Sequence, residues 1–302
     1  MGITEDRASR IVVIMKEQRL ANPYFNQLSS FLMLEFHRRK ISASLVLSGA
    51  GSSLPLSGPS RPTGAILIDD VDEKLLGSIR DAKIPVVWLD APSVDMNFDY
   101  VCSDNYTGAY RMAEYVASMD HRRILFLGNK DSHIDFYNRY QGLKSYIDEH
   151  PRQGLTLMEL PAYPERVGFN TQQFNQMMSR PDRPTVIFAV NDDTARLAAD
   201  ELRQMNLQVP EDVSLTGFDN IMEYLDESVE SLTTVHISMI NQALAAVETL
   251  FRRIQEPSVA PRRILVETKL VKRNSLIRNR AATEAGGHEL SVFTGGRIDT
   301  SV

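Results

Sequence analysis

Short apolar runs alternate with helical segments along almost the whole chain, and this pattern most restricts the fold. Ile11–Met15, Ser44–Leu47, Ala65–Ile68 and Pro85–Leu89 read as strands. Between them, Phe25, Leu28, Phe31, Leu32 and Phe36 fall at near-helical spacing, and Leu75, Leu76 and Ile79 share one helical face. Asn22-Pro23 reads as a helix start: Asn supplies a capping oxygen, and Pro loses nothing by lacking an N–H at the first helical position. The alternation then repeats. Helices are expected over Tyr106–Ser118, Arg139–Ile147, Phe169–Met178, Thr194–Met205 and Asn241–Ile254. Strands are expected at Ile124–Gly128, Leu155–Leu160, Val186–Val190 and Val213–Phe218, with Ile264–Val266 and Leu270–Val271 closing the pattern.

Such alternation specifies α/β architecture, a parallel sheet with helices on both faces. There are too many strands for one sheet, so two doubly wound sheets in series are expected. Ligands of these folds bind beyond the carboxyl ends of the strands. That directs attention to the polar residues just after strands, Asn22, Asp90, Asn191 and Asp219. Two stretches break the pattern. Gly49–Pro62 is rich in Gly, Ser and Pro and reads as a loop, and 281–302 has no sustained period and reads as a loosely held tail.

Composition narrows the function. Lys plus Arg is 33 against 39 Asp plus Glu, a net charge of −6, whereas a nucleic-acid coat would be basic. No run approaches the ~18 apolar residues of a membrane span. The start has no apolar signal core, which points to the cytoplasm. Cys102 is the lone cysteine, and the six histidines show no metal spacing. The Gly-rich stretch after the second strand lacks the Lys-Ser/Thr ending of a phosphate loop. With no nucleophile elbow or metal motif either, no catalytic residue, metal or cofactor is expected, and the chain does not read as an enzyme. Arg252–Arg280 holds nine basic residues against Glu256 and Glu267 and reads as a solvated mixed face.

Several motifs are more specific. They are Pro184-Thr-Val-Ile-Phe-Ala-Val-Asn-Asp192, Val209-Pro-Glu-Asp-Val-Ser-Leu-Thr-Gly-Phe-Asp-Asn220 and Leu232-Thr-Thr-Val235. Asn22-Pro-Tyr-Phe25, Asp104-Asn105 with Gly108-Ala109, His121-Arg-Arg-Ile124 and Leu270-Val-Lys-Arg-Asn-Ser275 add to them, in order along the chain. From about Arg10 to Arg280 the sequence resembles the LacI/GalR family of transcriptional regulators.

The resemblance implies a type I periplasmic-binding-protein-like effector domain. Two lobes, 10–102 plus 238–266 and 103–237 plus 267–280, would join through a three-strand hinge. They would close on a small polar effector such as a sugar, and lobe-one helices would form a homodimer. Matching position by position, Tyr24 and Phe25 would stack on the ligand, Asp90 would accept hydroxyl protons, and Arg139 would donate to ring and hydroxyl oxygens. Tyr163 would pack on the ligand, and Asn191 and Asp219 would form a polar pair. Bland readings stand beside these: Asn191 as a helix cap, Arg139 as a surface arginine, Asp90 and Asp219 as turn residues, and Tyr24 and Phe25 as core aromatics. Ile237 stands where sugar-binding relatives often carry a ligand-contacting glutamine, and Gly49–Pro62 replaces a helix of the first lobe. The family's helix-turn-helix reader is absent from this sequence, so operator DNA would be reached only through a reader domain outside it. The alternatives are the effector domain of a GntR-type regulator and the solute-binding protein of a transporter.

Overall fold

The computed structural model describes residues 10–49, 53–91, 97–163, 168–221 and 231–279. The 281–302 tail and part of the Gly49–Pro62 loop lie outside these residues.

The first sheet contains β1 (Arg10–Lys16), β2 (Ser42–Ser48), β3 (Gly64–Ile68), β4 (Val86–Leu89), β5 (Asp99–Ser103) and, from far along the chain, β13 (Arg263–Val266), in the order β13-β5-β4-β3-β1-β2. All its pairings are parallel. Helix α1 (Pro23–Arg38) and helix α7 (Met239–Gln255) cover one face, burying Leu28, Leu32, Phe36, Ala243, Val247 and Leu250 against Val13, Ile66 and Val87. Helix α2 (Glu73–Asp81) covers the other face through Leu75, Leu76 and Ile79. Asn22 caps α1 as its sequence suggested: the side chain accepts the Tyr24 N–H, and Pro23 opens the helix.

The second sheet contains β6 (Arg123–Leu127), β7 (Thr156–Leu160), β10 (Val186–Ala189), β11 (Ser214–Asp219), β12 (Thr233–His236) and β14 (Lys269–Val271), in the order β14-β12-β11-β10-β6-β7. It is parallel except at β14, which runs antiparallel to β12 and gives this sheet a mixed edge. Helices α3 (Asn105–Ser118) and α4 (Ile134–Glu149) bury Ala109, Met112, Tyr140 and Leu143 on one face. Helices α5 (Thr171–Met178) and α6 (Asp192–Gln204) bury Phe174, Met178, Ala198 and Leu202 on the other. A small hairpin, β8 (Ala162–Tyr163) with β9 (Gly168–Phe169), precedes α5.

The chain passes between the sheets three times: from β5 to α3, from β12 to α7, and from β13 to β14. Two passages are stitched together, because the Asp104 N–H donates to Val266 O at 2.8 Å and Thr268 Oγ1 donates to Asp104 O at 3.3 Å.

Some expectations need correction. Phe169 lies in β9, and its helix starts only at Thr171 behind an Asn170 cap. Helix α4 starts at Ile134, five residues before the expected Arg139. β5 and β12 were not read as strands. The stretch after Arg252 is not simply a solvated face. Arg252 Nη2 and Arg253 Nε donate to the fully buried Asp99 at 2.9 and 2.6 Å, pinning the end of α7 to β5. The described part of the Gly49–Pro62 segment contains only a single 3-10 turn, Gly58–Ser60.

Candidate functional site

Each sheet has its strand order reversed at one point, between β1 and β3 in the first and between β6 and β10 in the second. At such a point successive connections leave to opposite faces, and a crevice opens at the carboxyl edge. The two crevices meet in one cleft of about 350 Å³, within the size range of small-molecule sites.

All seven residues singled out from the sequence line this cleft: Tyr24, Phe25, Asp90, Arg139, Tyr163, Asn191 and Asp219. So do Arg19, Asn22, Asp69, Ser132, His133, Asp135 and Phe136. Ile237 is not among the lining residues; it is buried in the apolar layer beneath α3 and α4.

Three of the carboxylates share a local geometry. Asp69 follows β3, Asp90 follows β4 and Asp219 ends β11, with φ of 56°, 48° and 101°. Asp tolerates this left-handed region because its short polar side chain finds local partners. Strained backbone of this kind concentrates at ligand sites.

Arg139 is 5% exposed, so it is no surface arginine. Its Nε donates to Asn105 Oδ1 at 2.8 Å, Nη1 to Val190 O at 2.7 Å and Nη2 to Asp219 Oδ1 at 2.8 Å. The guanidinium lies 3.9 Å from the Phe218 ring centroid. Gly142, one turn on, permits this placement: a Cβ there would sit 2.2 Å from Tyr106 O, so only glycine lets α4 come this close to α3. Burial pushes the Asp219 carboxyl up to about 6 even though Arg139 pulls it down.

Asp90 lies on the opposite wall. The Tyr24 hydroxyl donates to its Oδ2, and Gln242 Nε2 from α7 lies 3.1 and 3.3 Å from its two oxygens. Burial, with the Asp135 charge nearby, pushes Asp90 up to about 8, and the Tyr24 hydrogen bond only partly offsets this. Gln242 is a partner the sequence reading missed.

Asn191 has both roles considered for it. It caps α6, accepting the Thr194 N–H at 2.9 Å, and it lines the cleft. Its neighbour Asp192 is fully buried and serves the fold. Asp192 Oδ1 accepts from Thr234 Oγ1 at 2.6 Å and Oδ2 from the Ile221 N–H at 2.9 Å. Tyr163 is 43% exposed at the cleft edge, and Phe25 meets the Tyr24 ring edge-on with centroids 5.0 Å apart.

His133 joins the two halves. It caps α4, its Nδ1 accepting the Asp135 N–H at 3.1 Å, which leaves the ring proton on Nε2. Nε2 lies 3.1 Å from Asp69 Oδ1 of the first half. Asp69 also pairs with Arg19, whose Nε lies 2.5 Å from Oδ2. Burial works against both charges, but the His133 bond and Arg19 hold the Asp69 carboxyl below its usual range, and Asp69 and Asp135 draw His133 upward. Asp69 obeys the after-a-strand rule that found Asp90, so it was legible. His133 and Asp135 were hidden because the helix was expected to start after them.

The arrangement suits a small polar ligand: aromatic walls, acceptors and donors held from both sides, and a buried floor. No three His, Cys, Asp or Glu side chains among the described residues converge as metal ligands do. No helix among them is long and apolar enough to cross a membrane.

The profile of the periplasmic binding protein-like domain family matches residues 113–276, more than half of the chain. The probable HTH-type transcriptional repressor ExuR of Bacillus subtilis is 27% identical over 225 residues, 73% of this chain and 66% of that protein. The HTH-type transcriptional repressor PurR of Mannheimia succiniciproducens is 27% identical over 64% of this chain and 57% of its own length. The chain thus spans somewhat under two thirds of these curated relatives. Among solved structures, a putative LacI-family regulator from Rhizobium etli superposes with a TM-score of 0.75 at 21% identity, covering 90% of this chain and 100% of the other. A LacI-family regulator from Enterococcus faecium with bound ribose gives 0.71 at 22% identity, over 89% and 99%. At such identities these structures speak for the fold, and the family profile, the ordered motifs and the named relatives agree with it. The chain belongs to the periplasmic binding protein-like domain family.

Proposed function

We propose that this chain is the ligand-sensing and dimerising core of a LacI-type transcriptional regulator. It binds a small polar effector, a sugar or a related metabolite, between its two halves. The observation that carries this reading is the single cleft into which residues from both sheets converge, Tyr24, Phe25 and Asp90 from one and Arg139, Asn191 and Asp219 from the other. A ligand touching both walls favours the closed arrangement through its differential affinity, and the three chain passages act as the hinge. The curated relatives are named repressors, which supports a regulatory rather than an enzymatic role.

In this reading the effector alters the regulator's affinity for DNA by about 1–3 kcal/mol. Dimerisation falls to the first half, where Leu34 of α1 and Ile240 of α7 expose apolar side chains. The test is a thermal-shift screen of polar metabolites followed by calorimetry, since a ligand that binds only the folded state raises its stability. A hit whose affinity survives unchanged in both Arg139→Ala and Asp219→Ala places its site elsewhere. A screen without hits removes the sensing role.

A further inference from the structure

Carboxyl groups outnumber guanidiniums in the cleft, and one of its acids has an oxygen without a partner. Four carboxyl side chains line it, Asp69, Asp90, Asp135 and Asp219, against two guanidiniums, Arg19 and Arg139, and the His133 imidazole. The guanidiniums are already matched: Arg139 with Asp219 at 2.8 Å and Arg19 with Asp69 at 2.5 Å. Asp90 and Asp135 have no arginine or lysine of their own. The Asp90 oxygens are served by neutral donors, the Tyr24 hydroxyl and the Gln242 amide.

Asp135 is the more exacting case. It is 7% exposed, and its Oδ1 has no hydrogen-bond partner among the described residues. Its other oxygen lies 3.6 Å from His133 Nδ1, the nitrogen that accepts the Asp135 N–H and therefore carries no proton for it. Acids in the first turn of a helix are common, and the dipole favours them. Such acids are ordinarily solvated, whereas this one is buried with an empty acceptor at the wall of a cleft. A buried acceptor without a partner is costly, and more so when charged.

We propose that the ligand is a small polyhydroxylated or ring compound bearing a protonated amine, and that Asp135, with Asp90 on the facing wall of the cleft, receives that ammonium group. This rests on the cleft being the effector site. An ammonium brings donors for the empty oxygen and a positive charge that draws buried carboxyls into their ionised form, whereas a neutral hydroxyl brings only the donor. A carboxylated or phosphorylated ligand would find both guanidiniums engaged and would bring no donor for the empty oxygen of Asp135. Phe25, Phe136 and Tyr163 supply the apolar wall for the rest of the ligand.

The experiment uses matched sets on one scaffold. D-glucose, D-glucosamine and D-glucuronate, and the corresponding galactose and mannose sets, are titrated calorimetrically into the wild-type protein and Asp135→Asn. A polar-metabolite library is screened in parallel and its hits are sorted by charge. The expected result is that the best-binding amine exceeds its hydroxyl parent by about tenfold or more, the scale of a charge-assisted hydrogen bond. In Asp135→Asn that preference falls towards unity. The wild-type comparison stands by itself if the variant folds poorly. A neutral or acidic member that binds as tightly as its amine counterpart, or library hits that are mainly neutral or anionic, overturns the amine assignment and leaves the sensing role intact. An amine preference that persists in well-folded Asp135→Asn overturns the role of Asp135. A cleft that binds nothing from either collection overturns both readings.

Discussion

The Arg139 guanidinium and the Asp219 carboxylate form a 2.8 Å ion pair between α4 and the end of β11, with both side chains at least nine-tenths buried. The pair is at once part of the fold and part of the cleft wall. Removing one partner of such a pair leaves a charge in a low-dielectric site, which is far worse than removing both.

Arg139→Ala is therefore expected to cost about 3–5 kcal/mol of stability as well as ligand binding. Asp219→Asn keeps an acceptor for the guanidinium and should cost clearly less. Urea denaturation of Arg139→Ala, Asp219→Asn, Asp219→Ala and the Arg139→Ala/Asp219→Ala double variant checks this. The double variant should lose less than the sum of its single losses, and strict additivity would show that the two residues act separately.

Asn191 allows the cap and the ligand contact to be separated. Asn191→Ala should lose about 1 kcal/mol through the cap of α6. Asn191→Ser should recover most of that, because serine caps well, but its shorter side chain should not recover ligand affinity. Denaturation and calorimetry on the same two variants give the answer; full recovery of binding in the serine variant would reduce Asn191 to a helix cap.

Gly142 tests transmission through packing. A methyl group there collides with Tyr106 O, so Gly142→Ala must push α4 away from α3. Overpacking of this kind costs about 1–3 kcal/mol. Because Arg139 rides on α4, ligand affinity should fall although Gly142 does not line the cleft. Wild-type affinity in a destabilised variant would show that the helix yields without moving the guanidinium.

The pH dependence of stability is set mainly by four buried acids that burial raises, Asp90, Asp135, Asp192 and Asp219. Folding raises Asp90 to about 8, Asp192 to about 7 and Asp219 to about 6, all above the unfolded value of 3.8. The folded protein thus holds protons that the unfolded chain has released, and stability falls as pH rises from about 4 to about 8. His133, also raised, adds in the same direction above its unfolded value of 6.5, whereas His121 and His236, lowered by burial, work against it below 6.5 and are outweighed by the four acids. Urea unfolding at pH 5 and pH 8 should give the higher stability at pH 5, and Asp90→Asn should flatten the upper part of the profile. A rise in stability towards pH 8 would contradict these assignments.

The helices and most strands were legible because their apolar residues repeat with the period of the element that buries them. β12 escaped because it is largely threonine. Thr233 and Thr234 are fully buried, and their hydroxyls are satisfied by Arg273 O and Asp192 Oδ1, partners 40 and 42 residues away. No local pattern records such a partner. β5 escaped because Asp99 looks like a loop residue until Arg252 and Arg253 are seen to clamp it. In the cleft, residues that directly follow strands were readable, and Asp69 satisfied the same rule as Asp90. Asp135 was not readable: its importance lies in a missing partner, which only the folded chain reveals.

The passage from β13 to β14 also bears on the order in which the molecule can be made. Each sheet takes an edge strand from residues 263–271, although the rest of both sheets is complete by His236. Ser275 then ties β11 and β12 together, its carbonyl accepting the Leu215 N–H at 2.8 Å and its hydroxyl the Thr233 N–H at 2.7 Å. A ribosome-bound chain therefore exposes two unfinished sheet edges until nearly all of the described sequence has emerged. Truncation before Arg263 would leave both halves open to edge pairing with other chains, rather than one half finished and the other lost.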